Sequence, residues 1–183
     1  KTLLRTLLAR RASMIVSNSE GGAAYWRRHF GGPRRIIGNG YPVNEIAAVA
    51  GKARIGVPAA GKPTILCACR LEPGKRVDRL LDAFVVSRRA PAQLIICGEG
   101  GSRNALMRKA GDLGVAADVK FVGHLETNAL WAEMGRASCF VSLSAFEGSP
   151  NAPTEAAVAG CRLVLSDIAA HRSLARVFPA RLV

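Results

Sequence analysis

The feature that most constrains the fold is a regular alternation of strand-like and helix-like segments between residues 64 and 166. The strand-like runs are residues 64–69, 92–97, 118–122, 138–142 and 162–166. Helical patterns cover residues 77–89, a segment ending near 114, residues 128–137, and a segment starting at about Pro153. Strands that alternate with helices at this spacing are joined by right-handed crossovers. The sequence therefore predicts an α/β fold with a doubly wound parallel sheet.

The first 63 residues are less regular. The sequence predicts helices over 1–11 and from Asn18 or Ser19 to about Phe30. It predicts short strands over 13–17 and 35–37. The turn GNGYP follows the second strand, and a loop is predicted over 51–63. The chain begins with Lys1 rather than Met, and the last residues, ArgLeuVal, resemble the start of a strand. We therefore expect the chain to be a fragment.

The net charge of +13 indicates an anionic partner. Residues 1–43 contain eight of the 26 basic residues but only one acidic residue, Glu20. Phosphorylated ligands, an acidic membrane surface and nucleic acid all fit this charge. Nucleic acid is not expected, because the arginines have no interleaved aromatic residues and match no readout motif.

Hydropathy and cysteine content favour a cytoplasmic protein. No apolar run approaches the ~20 residues that a transmembrane helix needs. The segment KTLLRTLLARR is too interrupted by arginine for a signal peptide. The five cysteines have no zinc-like pairing and mostly lie in apolar runs, which predicts free thiols in a reducing compartment.

Four loops follow the predicted strands, at the sheet edge where open α/β folds bind ligands. They are RLEPGKR, GEGGSR, GHLET and LSAFEGSPNAP. GEGGSRN is not a dinucleotide fingerprint, because Arg103 stands where a small residue is needed, so no hydride-transfer cofactor is expected. Its glycines would instead let a ligand approach the backbone. Arg70 and Lys75 suit a diphosphate, although two solvated loop charges are an equal alternative.

The stretch EGSPNAPTE places Glu147 and Glu155 around a turn. Pro153 suits the first turn of a helix, which would leave the N–H groups of residues 149–152 free for an anion or sugar hydroxyls. Each carboxylate can accept hydrogen bonds from a vicinal diol. The alternative is that Glu155 only favours the helix dipole and Glu147 is a loop charge. The residues alone leave both interpretations open.

Four ordered blocks resemble retaining nucleotide-sugar glycosyltransferases of the GT-B fold, in the group 1 family (family 4) that includes bacterial mannosyl- and glucosyltransferases. The blocks are ILCACRLEPGKRVDRLLDAF, LIICGEGGSRNAL, VKFVGHLE and VSLSAFEGSPNAPTEAAVAGCRLVLSD. The resemblance covers roughly residues 35–174. It implies that residues 44–183 are the C-terminal, Rossmann-like donor-binding domain. Residues 1–43 would be the tail of the acceptor domain and the crossing between domains.

The resemblance also implies a role for each matching residue. Arg70 and Lys75 would bind the donor diphosphate and, with Glu147, form the catalytic set. The remaining donor-binding positions are Gly123 and His124 at the base, Glu155 at the ribose, and Gly148, Ser149, Pro150 and Asn151 at the transferred sugar. His124 and His171 are expected to make backbone contacts or lie at the surface, and neither is a proposed ligand or base.

The implied reaction moves a hexose, with retention, from a UDP-, GDP- or ADP-sugar to a saccharide or lipid-linked acceptor in cell-envelope polysaccharide synthesis. It needs no metal and no other cofactor. Basic residues near the N-terminus could contact the inner membrane face, although KTLLRTLLARR could simply pack inside the protein. A non-catalytic nucleotide-sugar-binding module is the alternative.

Several positions depart from the family pattern. Cys69 and Arg76 stand where glycine is usual, and Arg162 stands where proline is common. Ala169 and Ala170 replace a frequent Gly-Gly, and Ser173 falls near a frequent glutamate. Bulk at the first two positions would restrict access to the phosphates. The chain alone is expected to be poorly active, because the acceptor half of the cleft is absent.

Overall fold

The computed structural model describes residues 2–55, 61–86 and 91–183, with side chains from residue 4 onward. Within these ranges the strands are β1 Ile15–Ser17, β2 Arg34–Ile36, β3 Thr64–Ala68, β4 Gln93–Cys97, β5 Val119–Gly123, β6 Cys139–Ser142, β7 Arg162–Leu165 and β8 Ala180–Leu182. The α-helices are α1 Thr2–Ala9, α2 Glu20–His29, α3 Val43–Ile55, α4 Val77–Val86, α5 Arg103–Asp112, α6 Thr127–Arg136, α7 Asn151–Val158 and α8 Ala169–Ala175.

Six strands form one parallel sheet in the order β5-β4-β3-β6-β7-β8. After β3 the chain adds β4 and β5 on one side. It then returns to add β6, β7 and β8 on the other side of β3. This reversal makes the sheet doubly wound, and it creates a crevice between the carboxyl ends of β3 and β6. The predicted fold class is confirmed.

All five predicted strands of the regular region occur within two residues of their predicted bounds. The end of the helix predicted over 77–89 lies outside the described residues. The sequence pattern did not predict α8, which connects β7 to β8. No helix in the described ranges is long and apolar enough to cross a membrane.

The N-terminal region forms a separate two-stranded parallel sheet from β1 and β2. The helix predicted after β1 is α2, and its N-cap is Ser19, whose Oγ accepts a hydrogen bond from the N–H of Gly22 at 3.2 Å. The division of the chain between residues 43 and 44 stays a prediction, and it falls directly after Val43, the first residue of α3.

The loop predicted over 51–63 is wrong for residues 51–55, which continue α3. The predicted loop rested on the Gly, Ala and Pro content of residues 51–63, of which only Gly51 disfavours a helix within residues 51–55. Ile46 and Ala50 are buried in the core cluster that also contains Trp131 and Met134 of α6. This tertiary contact stabilises the helix and offsets the cost of Gly51 in its interior. Residues 56–60 lie outside the described residues.

Two apolar clusters cover the two faces of the sheet. Leu66 belongs to the cluster beneath α3, α6 and α7, whereas its neighbour Cys67 belongs to the cluster beneath α4 and α5. Successive strand residues point to opposite faces, so a strand buried on both faces must be apolar at every position. This explains why TILCA forms the central strand β3.

The contact between α3 and α6 depends on a glycine. A Cβ at Gly135 of α6 would lie 2.3 Å from the carbonyl oxygen of Ala50. Gly111 of α5 has no such neighbour within 4 Å. We expect Gly135→Ala to lower the free energy of unfolding by about 1–3 kcal/mol through overpacking.

The matched control is Gly111→Ala, which should raise the free energy of unfolding by about 0.5–1 kcal/mol, because alanine is the better helix former. Urea denaturation of the two variants measures both effects. Equal or reversed effects would contradict the close packing of α3 on α6.

Candidate functional site

The loops that follow β3 and β6 meet above the crevice. The loop after β3 contains a 3₁₀ turn, Pro73–Lys75, and the carbonyl oxygen of Gly74 accepts a hydrogen bond from the N–H of Ala145 at 2.9 Å. Lys75 Nζ donates to Glu147 Oε1 at 2.6 Å. Two of the predicted catalytic residues, far apart in sequence, are therefore in direct contact.

This ion pair is largely withdrawn from solvent. The side chains of Lys75 and Glu147 retain 19% and 14% of their accessible surface. A charge in such a place needs its partner, because water no longer solvates it fully. An anionic ligand at this site could therefore replace Glu147 as the partner of Lys75.

Arg76 ends the 3₁₀ turn in a left-handed conformation, with φ of 52°. Such a φ is unfavourable for a residue with a Cβ and free of cost for glycine. Arg76 in place of the usual glycine therefore adds backbone strain as well as side-chain bulk. The guanidinium lies 3.5 Å from Asp78 Oδ1.

A cavity of about 400 Å³ lies at the carboxyl ends of β3 and β4. Its lining residues are Ala68, Cys69, Arg70, Cys97, Gly98, Glu99, His124, Leu125, Leu130 and Ala152. Arg70 is largely exposed and pairs with Glu72 at 2.9 Å. The cavity thus brings together Arg70 and His124, which the sequence placed in separate loops. Gly123 adjoins it with φ of 75°, and its carbonyl oxygen accepts from the N–H of Gly98 at 2.6 Å.

Two of the three glycines of GEGG, Gly98 and Gly100, have a packing role that the sequence did not reveal. A Cβ at Gly98 would lie 1.9 Å from the carbonyl oxygen of Cys69, and one at Gly100 would lie 2.4 Å from that of Leu71. At these two positions the group that approaches the backbone is the neighbouring loop of the same chain. The expected approach of a ligand is therefore not needed to explain them.

The EGSP turn lines a second cavity, of about 430 Å³, between the N-terminal region and α8. Asn151 Oδ1 accepts from Asn39 Nδ2 at 2.6 Å and from Tyr41 Oη at 2.9 Å. Asn39 Nδ2 also donates to Ser149 Oγ at 3.2 Å. Sequence reasoning assigned Asn39 and Tyr41 only to a turn; their polar side chains in GNGYP were the available signal.

Helix α7 begins at Asn151, two residues before the predicted start. Pro153 lies in the first turn, as expected. The Asn151 N–H donates to the Ser149 carbonyl oxygen at 3.1 Å, so the prediction that all N–H groups of this turn are free is wrong. Because the helix starts early, Glu155 is its fifth residue and lies beyond the first turn.

Glu155 is half-buried. Burial raises the pKa of its carboxyl, and an interaction with the Trp131 side chain acts in the opposite direction. A raised pKa means that Glu155 takes up a proton at a higher pH than an ordinary glutamate. Its capacity to accept hydrogen bonds should therefore decline early on acidification.

His171 is fully buried beneath the β6 and β7 loops. Its Nδ1 lies 3.0 Å from the Ser166 carbonyl oxygen, and Ser166 Oγ donates to the Ser144 carbonyl oxygen at 2.6 Å. Burial lowers the pKa of the imidazole. The structure thus gives backbone contact rather than surface placement for His171, whereas His124 is exposed.

The remaining predicted features are placed as follows. The five cysteines are free thiols; Cys67, Cys97 and Cys161 are buried, whereas Cys69 and Cys139 are only partly buried. Arg162 is exposed at the start of β7, where its bulk meets no constraint from the core. In the described part of the chain, no group of three or more His, Cys, Asp or Glu residues is arranged to hold a metal ion.

Comparison with known proteins agrees with the sequence motifs. The family model described as "Glycosyl transferases group 1" matches residues 52–177. A GDP-mannose-dependent monoacylated alpha-(1-6)-phosphatidylinositol monomannoside mannosyltransferase of Corynebacterium glutamicum is 44% identical over 66 residues, 35% of this chain and 17% of that protein. A glycogen synthase of Mycobacterium tuberculosis is 35% identical over 113 residues, 61% of this chain and 27% of that protein.

Solved structures show the same fold. Anabaena Alr3699/HepE in complex with UDP and glucose has a TM-score of 0.83 at 21% identity, over 99% of this chain and 52% of that one. Sucrose-phosphate synthase from Thermosynechococcus elongatus has a TM-score of 0.84 at 22% identity, over 99% and 47%. The chain spans about half the length of these structures and less than a third of the curated relatives described above.

The ion pair between Lys75 and Glu147 should be energetically coupled. We expect Glu147→Gln or Lys75→Met alone to lower the free energy of unfolding by about 1–3 kcal/mol, because each leaves the other charge without its partner. The double variant should cost less than the sum of the single changes by about 1 kcal/mol or more. Urea denaturation of the four proteins measures the cycle.

The control cycle uses Arg136 and Glu133, an exposed pair at 2.9 Å on α6. Its coupling should be about 0.5 kcal/mol or less. A coupling at Lys75 and Glu147 no larger than this would show that their contact is a surface ion pair.

Proposed function

The chain belongs to the glycosyl transferases group 1 family, and from this premise we propose that it is the donor-binding part of a retaining hexosyltransferase. The observation that carries the proposal is the contact between Lys75 and Glu147 in the crevice between β3 and β6. Ligands of open α/β sheets bind at such a point. A cavity of about 400 Å³ lies beside it and is large enough for part of a nucleotide.

In the proposed reaction, Arg70 and Lys75 stabilise the leaving nucleoside diphosphate. The bond between the anomeric carbon and the phosphate oxygen breaks, so negative charge grows on that oxygen. Arg70 offers a two-pronged guanidinium and Lys75 a compact ammonium. Together they supply positive charge at the diphosphate, and for this reason the proposal requires no metal.

Diphosphate binding would rearrange two existing ion pairs. Arg70 now pairs with Glu72, and Lys75 pairs with Glu147. Phosphate oxygens would compete with both carboxylates for the cations. Glu147 would then be available to accept hydrogen bonds from the hydroxyls of the transferred hexose.

Residues of the loops after β5 and β6 and of α7 would make the remaining contacts to the donor. The EGSPN turn would hold the hexose through Gly148, Ser149, Pro150 and Asn151. Glu155 would accept from the ribose hydroxyls, because a carboxylate matches a vicinal diol. The backbone at Gly123 and His124 would contact the base.

We further propose a UDP-, GDP- or ADP-sugar as donor, with no additional cofactor, and a saccharide or lipid-linked acceptor in cell-envelope polysaccharide synthesis. A mannosyltransferase relative is named as GDP-mannose-dependent, and the Anabaena structure contains UDP, which supports nucleotide sugars as the donor class. Reaction at the cytoplasmic face of the membrane would suit a lipid-linked acceptor. Exposed leucines on α1 at positions 4, 7 and 8 are consistent with peripheral contact.

A non-catalytic nucleotide-sugar-binding module is the second candidate. Cys69 and Arg76, which stand where the family usually has glycine, lie in the same loop as Lys75. Their bulk would restrict access to the phosphates, and this favours the alternative. Turnover of a nucleotide sugar by a protein containing both cleft halves would exclude it. NMR of the anomeric proton in the product would then test retention. Transfer by the present chain alone is expected to be weak, because reactants must be held together in a complete cleft.

Calorimetric titration with UDP, GDP and ADP tests the binding site directly. We expect saturable binding of one nucleotide, weakened about 10- to 100-fold by Glu155→Gln, because the neutral amide loses charge-assisted hydrogen bonds. Acidification should weaken wild-type binding as Glu155 becomes protonated, and this change should begin at a higher pH than for an ordinary glutamate.

Glu45→Gln is the control, since Glu45 is exposed on α3 and lies apart from both cavities. It should bind the nucleotide like the wild type. Equal affinities of wild type and Glu155→Gln would remove Glu155 from the site. Absence of binding by all three nucleotides would contradict the proposed function for this chain.

A further inference from the structure

Two cysteines lie side by side where β3 enters the candidate site. Cys67 and Cys69 are two residues apart, so their side chains point to the same face of the strand. Their sulfur atoms are 4.0 Å apart. Cys67 is buried, whereas Cys69 is partly exposed and lines the 400 Å³ cavity together with Arg70 and His124.

The surroundings of Cys69 favour its thiolate. The hydrogen-bonding contact with the Cys67 thiol is the largest cause of a lowered pKa at Cys69, and the positive charge of Lys75 acts in the same direction. Burial and the charges of Glu147 and Glu72 oppose these effects. Cys67 shows the reverse behaviour, with its pKa raised by the same hydrogen bond and by burial. Of the two thiols, Cys69 therefore ionises first.

The other three cysteines provide an internal comparison. Cys139 is also partly exposed, but burial raises the pKa of its thiol. Burial likewise raises the pKa of Cys97 to about 12 and that of Cys161 to about 11. Reactive thiols are accessible and easily ionised, and Cys69 combines both properties.

We propose that Cys69 is a covalent modification site in the wall of this cavity, reacting with small thiol-directed electrophiles and with peroxide. With an alkyl halide, the thiolate sulfur forms a bond to carbon and the halide departs with the electron pair of the broken bond. With hydrogen peroxide, sulfur bonds to one oxygen, the O–O bond breaks and hydroxide leaves. The sulfur is oxidised by two electrons to a sulfenic acid and the peroxide is reduced.

A group attached to Cys69 would occupy part of the cavity, because Cys69 forms part of its wall together with Arg70 and His124. If that cavity binds the nucleotide, as proposed above, modification and nucleotide binding exclude each other.

The first test uses the folded 183-residue chain with a substoichiometric amount of iodoacetamide, followed by peptide mass mapping. We expect Cys69 to be alkylated faster than Cys139, because the pKa of the Cys69 thiol is lowered whereas that of Cys139 is raised. Dilute hydrogen peroxide with a sulfenic-acid trap should label the same residue. Equal or faster reaction at Cys139, or at any other cysteine, would overturn the proposal.

A pair of variants tests the role of the neighbouring thiol. Cys67→Ala removes the hydrogen-bond donor and should slow alkylation of Cys69 several-fold. Cys67→Ser keeps a donor of similar size and should retain most of the rate. Circular dichroism checks that both variants are folded, and the wild-type mapping stands independently of them. An unchanged rate in Cys67→Ala would show that Cys67 does not activate Cys69.

Nucleotide protection separates this proposal from the proposed function. Saturating UDP, GDP or ADP, whichever binds, should slow alkylation of Cys69 and leave that of Cys139 unchanged. Unprotected alkylation in the presence of a bound nucleotide would overturn the placement of Cys69 in the nucleotide cavity. Selective alkylation of Cys69 in a chain that binds none of the three would support the modification site and contradict the nucleotide-binding function.

Discussion

The pairing of β3 with β6 is the constraint on which the rest of the site depends. These strands are distant in sequence, and their parallel pairing brings the loops after them to the same edge of the sheet. The hydrogen bond from Ala145 to Gly74 and the ion pair of Lys75 with Glu147 follow from that proximity. A shift of β6 to another position would separate the two proposed catalytic charges.

Much of the fold could be predicted because β3 and the strands beside it are covered on both faces. Such strands need apolar residues at every position, and this leaves a clear signal in runs such as TILCAC. Helix α3 was not predicted although its alanines favour a helix, and its packing involves Gly135, which allows α6 to approach Ala50. That contact joins residues about 85 positions apart and cannot be inferred from local composition.

The same distinction applies to the site. Lys75 and Glu147 could be proposed as site residues because each follows a recognisable strand in a motif that resembles the family pattern, and their roles stay a prediction. The contacts of Asn39 and Tyr41 with Asn151 could not, since they connect residues 112 and 110 positions apart between the N-terminal region and α7. Neither could the packing role of Gly98, which depends on how closely two loops approach.

Cys69 and Arg76, which stand where the family usually has glycine, both change the surroundings of Lys75. They do so through different physical effects. Arg76 holds the backbone directly after Lys75 in a conformation that costs about 1–2 kcal/mol for a residue with a side chain. Cys69 places an ionisable sulfur within the field of the same lysine. The ammonium of Lys75 therefore interacts with Glu147 and with the Cys69 sulfur, and an incoming diphosphate would compete with both. If both proposals hold, ligand binding at this loop and the reactivity of Cys69 would be linked through a single positive charge.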